Sequence, residues 1–283
     1  MTTLNIAARI GLIVVACSAG AAAQATTIVD WDFGTLATAA PKNTPAATGG
    51  TAQTNGATTA TSVGMANTYA EVGYPSGSAY TFDDITNDTN STIGNGNVWR
   101  IRGSSTASTQ SGANGWSINA PQYSQGAQFT TTTSGYDNIV LSFNWASTAQ
   151  GIANMQVQYT TNGTSWTNVG SLLTATVGNS SSGGSYQTDT INFGTLGITS
   201  VNNDASFGVR LVAAYNPTLG NYASASSVIA GSPAAYNNSS GNWRFADVQI
   251  DGTVAPVPLP ASVWLMLSGI AGLGAMVSKR RTA

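Results

Sequence analysis

Residues 139–170 read IVLSFNWASTAQGIANMQVQYTTNGTSWTNVG. In the first seven, Ile139, Leu141, Phe143 and Trp145 alternate with Val140, Ser142 and Asn144. Period-two alternation marks a strand with one face buried. Further on, the runs 155–161 and 164–169 flank Asn162-Gly163. Asn-Gly between two such runs predicts a tight hairpin, because a two-residue turn of this kind needs positive φ at both positions.

The same pattern extends outward in both directions. Downstream, strands are expected over 186–193, 207–213 and 243–251. In the second of these Phe207, Val209, Leu211 and Ala213 share one face and Arg210 points the other way. Upstream, strands are expected over 127–132, 98–102 and 78–82, with a first strand over 28–33 (IVDWDF). That strand sets Ile28, Asp30 and Asp32 on one side and Val29, Trp31 and Phe33 on the other. Residues 35–67 dissolve into Thr, Ala, Gly and Asn, too poor in apolar surface for burial, and read as a long low-complexity loop or disordered insertion. No amphipathic helix of useful length interrupts the strands. The expectation is an all-β domain, a jelly-roll-like β-sandwich of about eight to ten strands.

The two ends of the chain read differently. The start, MTTLNIAARIGLIVVACSAGAAAQATT, has one charge, Arg9, then a short apolar run and small residues. That is the layout of a secretory signal peptide over residues 1–25, cut after Ala25. Val14-Val15-Ala16-Cys17 also has the form of a lipoprotein signal, in which Cys17 would be lipidated. Cys17 is the chain's only cysteine, so a body beginning at Thr26 has no disulfide. At the other end, residues 259–278 carry no charge, about the length of a membrane-spanning helix. Pro258 and Pro260 mark its start. Lys279, Arg280 and Arg281 follow it, a basic stop that stays on the cytoplasmic side and leaves the body outside.

Val257-Pro258-Leu259-Pro260-Ala261, an apolar span and the Lys-Arg-Arg cluster together resemble the PEP-CTERM sorting signal of Gram-negative bacteria, in its VPLPA variant. The resemblance covers residues 256–283. It implies export by the Sec translocase, signal peptidase cleavage, recognition by a membrane-embedded exosortase and removal of the helix. The body would be transiently anchored in the inner membrane, then released or attached at the cell surface, often with exopolysaccharide, as in a biofilm. Residues 26–255 would form the ectodomain. Their exit strand WRFADVQIDG and aromatic-rich hairpin loosely resemble carbohydrate-binding-type jelly rolls of exported bacterial proteins.

Composition excludes several chemistries. Only 7% of the residues are charged, against about 25% in ordinary proteins. The expected ectodomain holds five bases, Lys42, Arg100, Arg102, Arg210 and Arg244, against all eleven acids, a net of −6. Nucleic-acid binding needs a basic footprint, which is missing. There is no histidine, which removes Ser-His-Asp mechanisms and histidine bases. A body without Cys and His has no zinc site of the usual kind. A glycosidase needs two carboxyl groups facing each other. Glu71 is the one glutamate, and no aspartate pair stands out. A non-enzymatic protein is therefore expected, ahead of a hydrolase working through aspartates.

Two features could carry binding. Trp99, Trp116, Tyr123, Tyr136, Trp166, Tyr215, Tyr222 and Tyr236 fall in or beside expected loops, whereas Trp31, Trp145 and Trp243 fall in alternating strands as core residues. Flat aromatic rings stack on sugar faces, and amides bond the hydroxyls. Trp116, Tyr123 and Tyr222, flanked by Gly, Asn and Pro, are the candidate glycan contacts. The second feature is Asp83-Asp84-Ile85-Thr86-Asn87-Asp88-Thr89-Asn90, dense in oxygen donors. Calcium takes six to eight of them, so Asp83, Asp84 and Asp88 are candidate ligands of a structural calcium. The alternative there is an ordinary Asx-turn loop. No other cofactor is expected.

Overall fold

The computed structural model describes residues 24–33, 58–64, 97–101, 120–149, 151–176, 185–226 and 241–256. For 83–87 it describes the backbone, and in the C-terminal segment it describes Ser262, Leu265, Met266 and Ser268. Eleven strands lie among the described residues: β1 (Ala25–Trp31), β2 (Thr59–Val63), β3 (Asp83–Asn87), β4 (Asn97–Ile101), β5 (Gly126–Thr130), β6 (Tyr136–Ser147), β7 (Asn154–Thr160), β8 (Thr167–Thr174), β9 (Gln187–Asn192), β10 (Gly208–Ala213) and β11 (Trp243–Val254). They form two antiparallel sheets, an all-β architecture. Sheet A runs β3-β4-β11-β6-β9, with β1 also on β11, and sheet B runs β2-β5-β10-β7-β8.

The alternation in 139–145 gives β6. Ile139, Leu141, Phe143 and Trp145 are fully buried, whereas Val140 and Ser142 on the other face are half-buried. The hairpin is also present, with Tyr159 opposite Thr167. Its loop is wider than a two-residue turn. Gly163 alone takes positive φ, at 74°. Asn162 instead folds its side chain back, accepting from Thr164 N at 2.9 Å and Ser165 N at 2.8 Å. Thr160 Oγ1 accepts from Gly163 N at 3.0 Å. Side-chain oxygens close this loop, an alternative open to Asn and Thr that the Asn-Gly signal hides.

Strand β11 is the axis of sheet A. Along one side it pairs first with β4 (Phe245 opposite Trp99) and then with β1 (Trp31 opposite Val248); along the other it pairs with β6 (Phe245 opposite Trp145). Phe245 and Val248 both face the core although three residues apart. A bulge between Phe245 and Asp247 makes this possible, since one extra residue resets which face follows. A second bulge, between Thr27 and Val29, does the same in β1. It turns Ile28 into the core beside Val29, so the expected placement of Ile28 with Asp30 is corrected.

Two segments depart from expectation. Residues 59–63, expected within the low-complexity loop, form β2, with Ala60 buried opposite Phe129. Their sequence TATSV is mostly β-branched and small, which suits an edge strand that buries a single side chain. Residues 83–87 form β3 instead of a turn, paired with β4. The expected strand 78–82, most of the loop 35–67 and residues 1–23 of the expected signal peptide lie outside the described residues, as do the sorting motif and basic stop.

The core between the sheets is aromatic. Phe129 of sheet B meets Trp31 at 5.1 Å, Trp99 at 5.8 Å and Phe245 at 6.2 Å between ring centroids, all from sheet A or its flank. Phe207 of the sheet B flank meets Phe193 at 5.6 Å. Buried indoles need partners for their N–H groups. Trp145 Nε1 donates to Asp189 at 2.7 Å, and Trp243 Nε1 donates to the Ile152 carbonyl at 2.8 Å. Trp31, Trp145 and Trp243 are all fully buried. Sheet B is close-knit at Gly126, whose φ is +148°: a Cβ there would stand 2.1 Å from the Leu211 carbonyl oxygen. Only glycine lets β5 lie this close to β10.

Candidate functional site

One end of the sandwich gathers the loops before β5 and after β10. The Tyr222 hydroxyl donates to the Pro121 carbonyl at 2.9 Å, and the Tyr222 ring meets Tyr215 edge-on at 4.7 Å. Gln122 Oε1 accepts from Tyr215 N at 2.8 Å. Asn216 organises the turn that follows, accepting from Thr218 N and Leu219 N through its side chain. Tyr222 is only 6% exposed. Its ring is packed among core residues, with only a small part at the surface. Tyr123 is half-buried in the same loop, with φ at 70° and its N–H donated to the Ala213 carbonyl. Trp99, expected near a loop, is fully buried in β4. Trp116 and Tyr236 lie outside the described residues.

Of the candidate calcium ligands, Asp83 and Asp84 lie in β3, paired with Ile101 and Arg100. Asp88 lies outside the described residues. Among the described residues no group of three or more His, Cys, Asp or Glu is arranged to hold a metal ion.

Sheet A does assemble acids that the sequence did not single out. Asp30 on β1 and Asp247 on β11 meet side by side, with Asp32 and Asp251 near them. Burial, then the hydrogen bond to Asp247, then the neighbouring carboxylates raise the Asp30 pKa from 3.8 to about 7. Burial likewise pushes the Asp247 carboxyl up, against the opposing effect of the hydrogen bond from Asp30. Gln249 holds the flank, donating to Thr27 Oγ1 at 2.7 Å and Asp251 Oδ1 at 2.9 Å. In the sequence these acids are visible only as same-face residues of two strands, Asp30 with Asp32 and Asp247 with Asp251, and only the pairing of the first strand with the last joins them.

The outer face of sheet B has the opposite character. Thr61, Gln128, Arg210, Gln158 and Asn168 stand in one row across its five strands. Arg210 Nε donates to Gln128 Oε1 at 2.8 Å, and its guanidinium lies 4.0 Å from the centre of the Trp166 ring. Gln158 Nε2 donates to Asn168 Oδ1 at 2.9 Å. Trp166 precedes β8, so its ring reaches across β7 to meet β10. Burial lowers the Arg210 pKa, but a guanidinium stays charged.

No protein family matches the chain, and no curated protein does. Among solved structures, the enzymatically active domain of bacteriophage CBA120 tailspike protein 4 is similar at 11% identity and a TM-score of 0.28, over 61% of this chain and 18% of that one. A score that low carries no argument here.

Two outcomes are expected. Replacing Tyr222 by Ala costs about 3 kcal/mol of unfolding free energy in urea, as truncation of a buried aromatic does; a change below about 0.5 kcal/mol would return the ring to the surface. The second concerns pH. The folded protein binds the Asp30 proton more tightly than the unfolded chain, so this stabilisation is complete below pH 3.8 and is lost as pH rises to about 7. The urea midpoint should therefore fall from pH 4 to pH 8, and Asp30→Asn should flatten that fall. An unaltered slope in Asp30→Asn would show that the pair carries no such linkage.

Proposed function

We propose that this is an exported, non-enzymatic protein of the cell surface or extracellular matrix, sorted by an exosortase through Val257–Ala261 and associated with exopolysaccharide. The observation that carries the sorting half is where the fold ends. The last pairing of β11 sets Val254 opposite Tyr136, and Ala255 N donates to the Gly135 carbonyl at 2.8 Å. Pro256 follows, exposed. The sorting motif starts one residue later, directly after the last described strand and outside the described residues. Of the tail, Leu265 and Met266 are exposed in helical conformation. Among the described residues no helix is long and apolar enough to cross a membrane; the expected span falls almost wholly outside them.

We further infer that the sandwich is a jelly roll. Leaving aside β2, β3 and β4, the sheets run β1-β11-β6-β9 and β5-β10-β7-β8. First and last strands are neighbours in one sheet, and second and next-to-last are neighbours in the other. This order supports two Greek keys wound together. Lectin domains use the same architecture, but a fold alone does not assign function. The outer face of sheet B favours a second reading, a carbohydrate-binding module, through its amide row and Trp166.

The non-enzymatic reading is supported by the chemistry of the acids. Asp30 and Asp247 lie in direct side-chain contact, closer than the roughly 5 Å or more that separates the two carboxyl groups of a glycosidase. The sorting reading predicts that intact mass spectrometry of the protein from a producing cell finds a chain starting at Thr26 and ending at or near the Val257–Ala261 motif. Deleting the exosortase, or changing Pro258 and Pro260 to Ala, should restore the mass of the tail. A product that keeps residues up to Ala283 in every fraction of the unaltered cell would overturn it.

A further inference from the structure

Arg210 is the one charged residue in the five strands of sheet B; no Asp or Glu lies in any of them. It is half-buried at the centre of the middle strand. Its Nε is held by Gln128 at 2.8 Å and its plane is backed by the Trp166 ring at 4.0 Å. Those two contacts fix the direction of the guanidinium. They leave both terminal nitrogens, a fork of four N–H donors, with no hydrogen-bond or ion-pair partner among the described residues.

A half-buried cation with no counter-charge among the described residues costs free energy relative to a paired one. A neutral side chain would complete the Thr61–Gln128–Gln158–Asn168 row at no such cost. The body as a whole is acidic, and its described acids lie in or beside sheet A or in the loop at Asp204. The counter-charge suited to a rigid fork is an anion bound by two parallel hydrogen bonds, and among the anions that do this a carboxylate also matches the plane of the guanidinium. Beside it, Asn168 is exposed and spends only its Oδ1 on Gln158, which leaves its amide N–H groups for a hydroxyl.

We propose that the outer face of sheet B binds an acidic polysaccharide, with Arg210 recognising the carboxylate of a uronic-acid unit, Gln128 and Trp166 holding the guanidinium in place, and Asn168 bonding a neighbouring hydroxyl. This rests on the exopolysaccharide association proposed above and narrows it to a chemical class. The hairpin loop at 161–166 has a role in this account: it delivers Trp166 across β7 to the arginine.

The test is binding of the purified full-length chain, in detergent, to polygalacturonate, to its methyl ester and to dextran. The ester differs from the acid only in charge. The acid should bind at least about tenfold more tightly than either neutral polymer, and Arg210→Gln should remove that difference. Arg210→Lys should recover only part of it, because a point charge does not match the fork. Equal binding of acid and ester overturns the proposal and needs no variant, so it stands even if Arg210→Gln fails to fold. Unchanged binding by a folded Arg210→Gln overturns it as well. Binding to dextran or to the producer's own exopolysaccharide that ignores Arg210 would sink the carboxylate site and leave the glycan reading intact. No binding to any of the four polymers would sink both.

Discussion

Phe129 is the residue on which the two sheets close. It belongs to β5, and its ring touches Trp31, Trp99 and Phe245, which lie on three different strands of sheet A. The four residues span more than 200 positions of chain. No cysteine lies among the described residues, so no disulfide joins these strands. What joins them is removal of aromatic surface from water, with edge-to-face contacts adding about 0.5–1.5 kcal/mol for each pair. Everything at the surface depends on this closure, because the bulges of β1 and β11 are set to aim Trp31 and Phe245 inward. The same bulges set Asp30 and Asp247 outward, side by side.

The two outer faces then differ for a reason rooted in composition. With so few charges in the chain, each one has a visible consequence. Sheet A concentrates carboxyls, and burial beside one another raises the pKa of two of them, Asp30 and Asp247. Sheet B carries amides, threonines and a single guanidinium. The two faces therefore differ in charge, one acidic and the other with a single fixed cation.

Much of the fold is legible in the sequence, where the period-two pattern is strong. In β6 and β10 the residues the alternation marks are buried, although Asn144, Ala146 and Val212 on the other face are buried as well. Strand β2 was hidden because a TATSV edge strand buries one alanine and has almost no hydrophobic signal. Strand β3 was hidden because its acids suggested a loop, whereas pairing with β4 decides its conformation. The bulges leave no mark in a pattern, since an inserted residue is visible only against its partner strand. Of the candidate glycan contacts, Tyr222 looked like a loop residue by its neighbours, and the turn closed by Asn216 folds it into the core instead. Arg210 was correctly placed on the outer face. Its isolation and its contact with Trp166 depend on strand order, which no local reading supplies.

The most direct test of this account is the unfolding free energy of Phe129→Ala in urea. If aromatic closure across the sheets holds the body together, the loss is about 3–5 kcal/mol in a single cooperative transition, or the variant fails to fold. A loss below about 1 kcal/mol, with wild-type cooperativity, would show that the sheets are held by something other than the contacts described here.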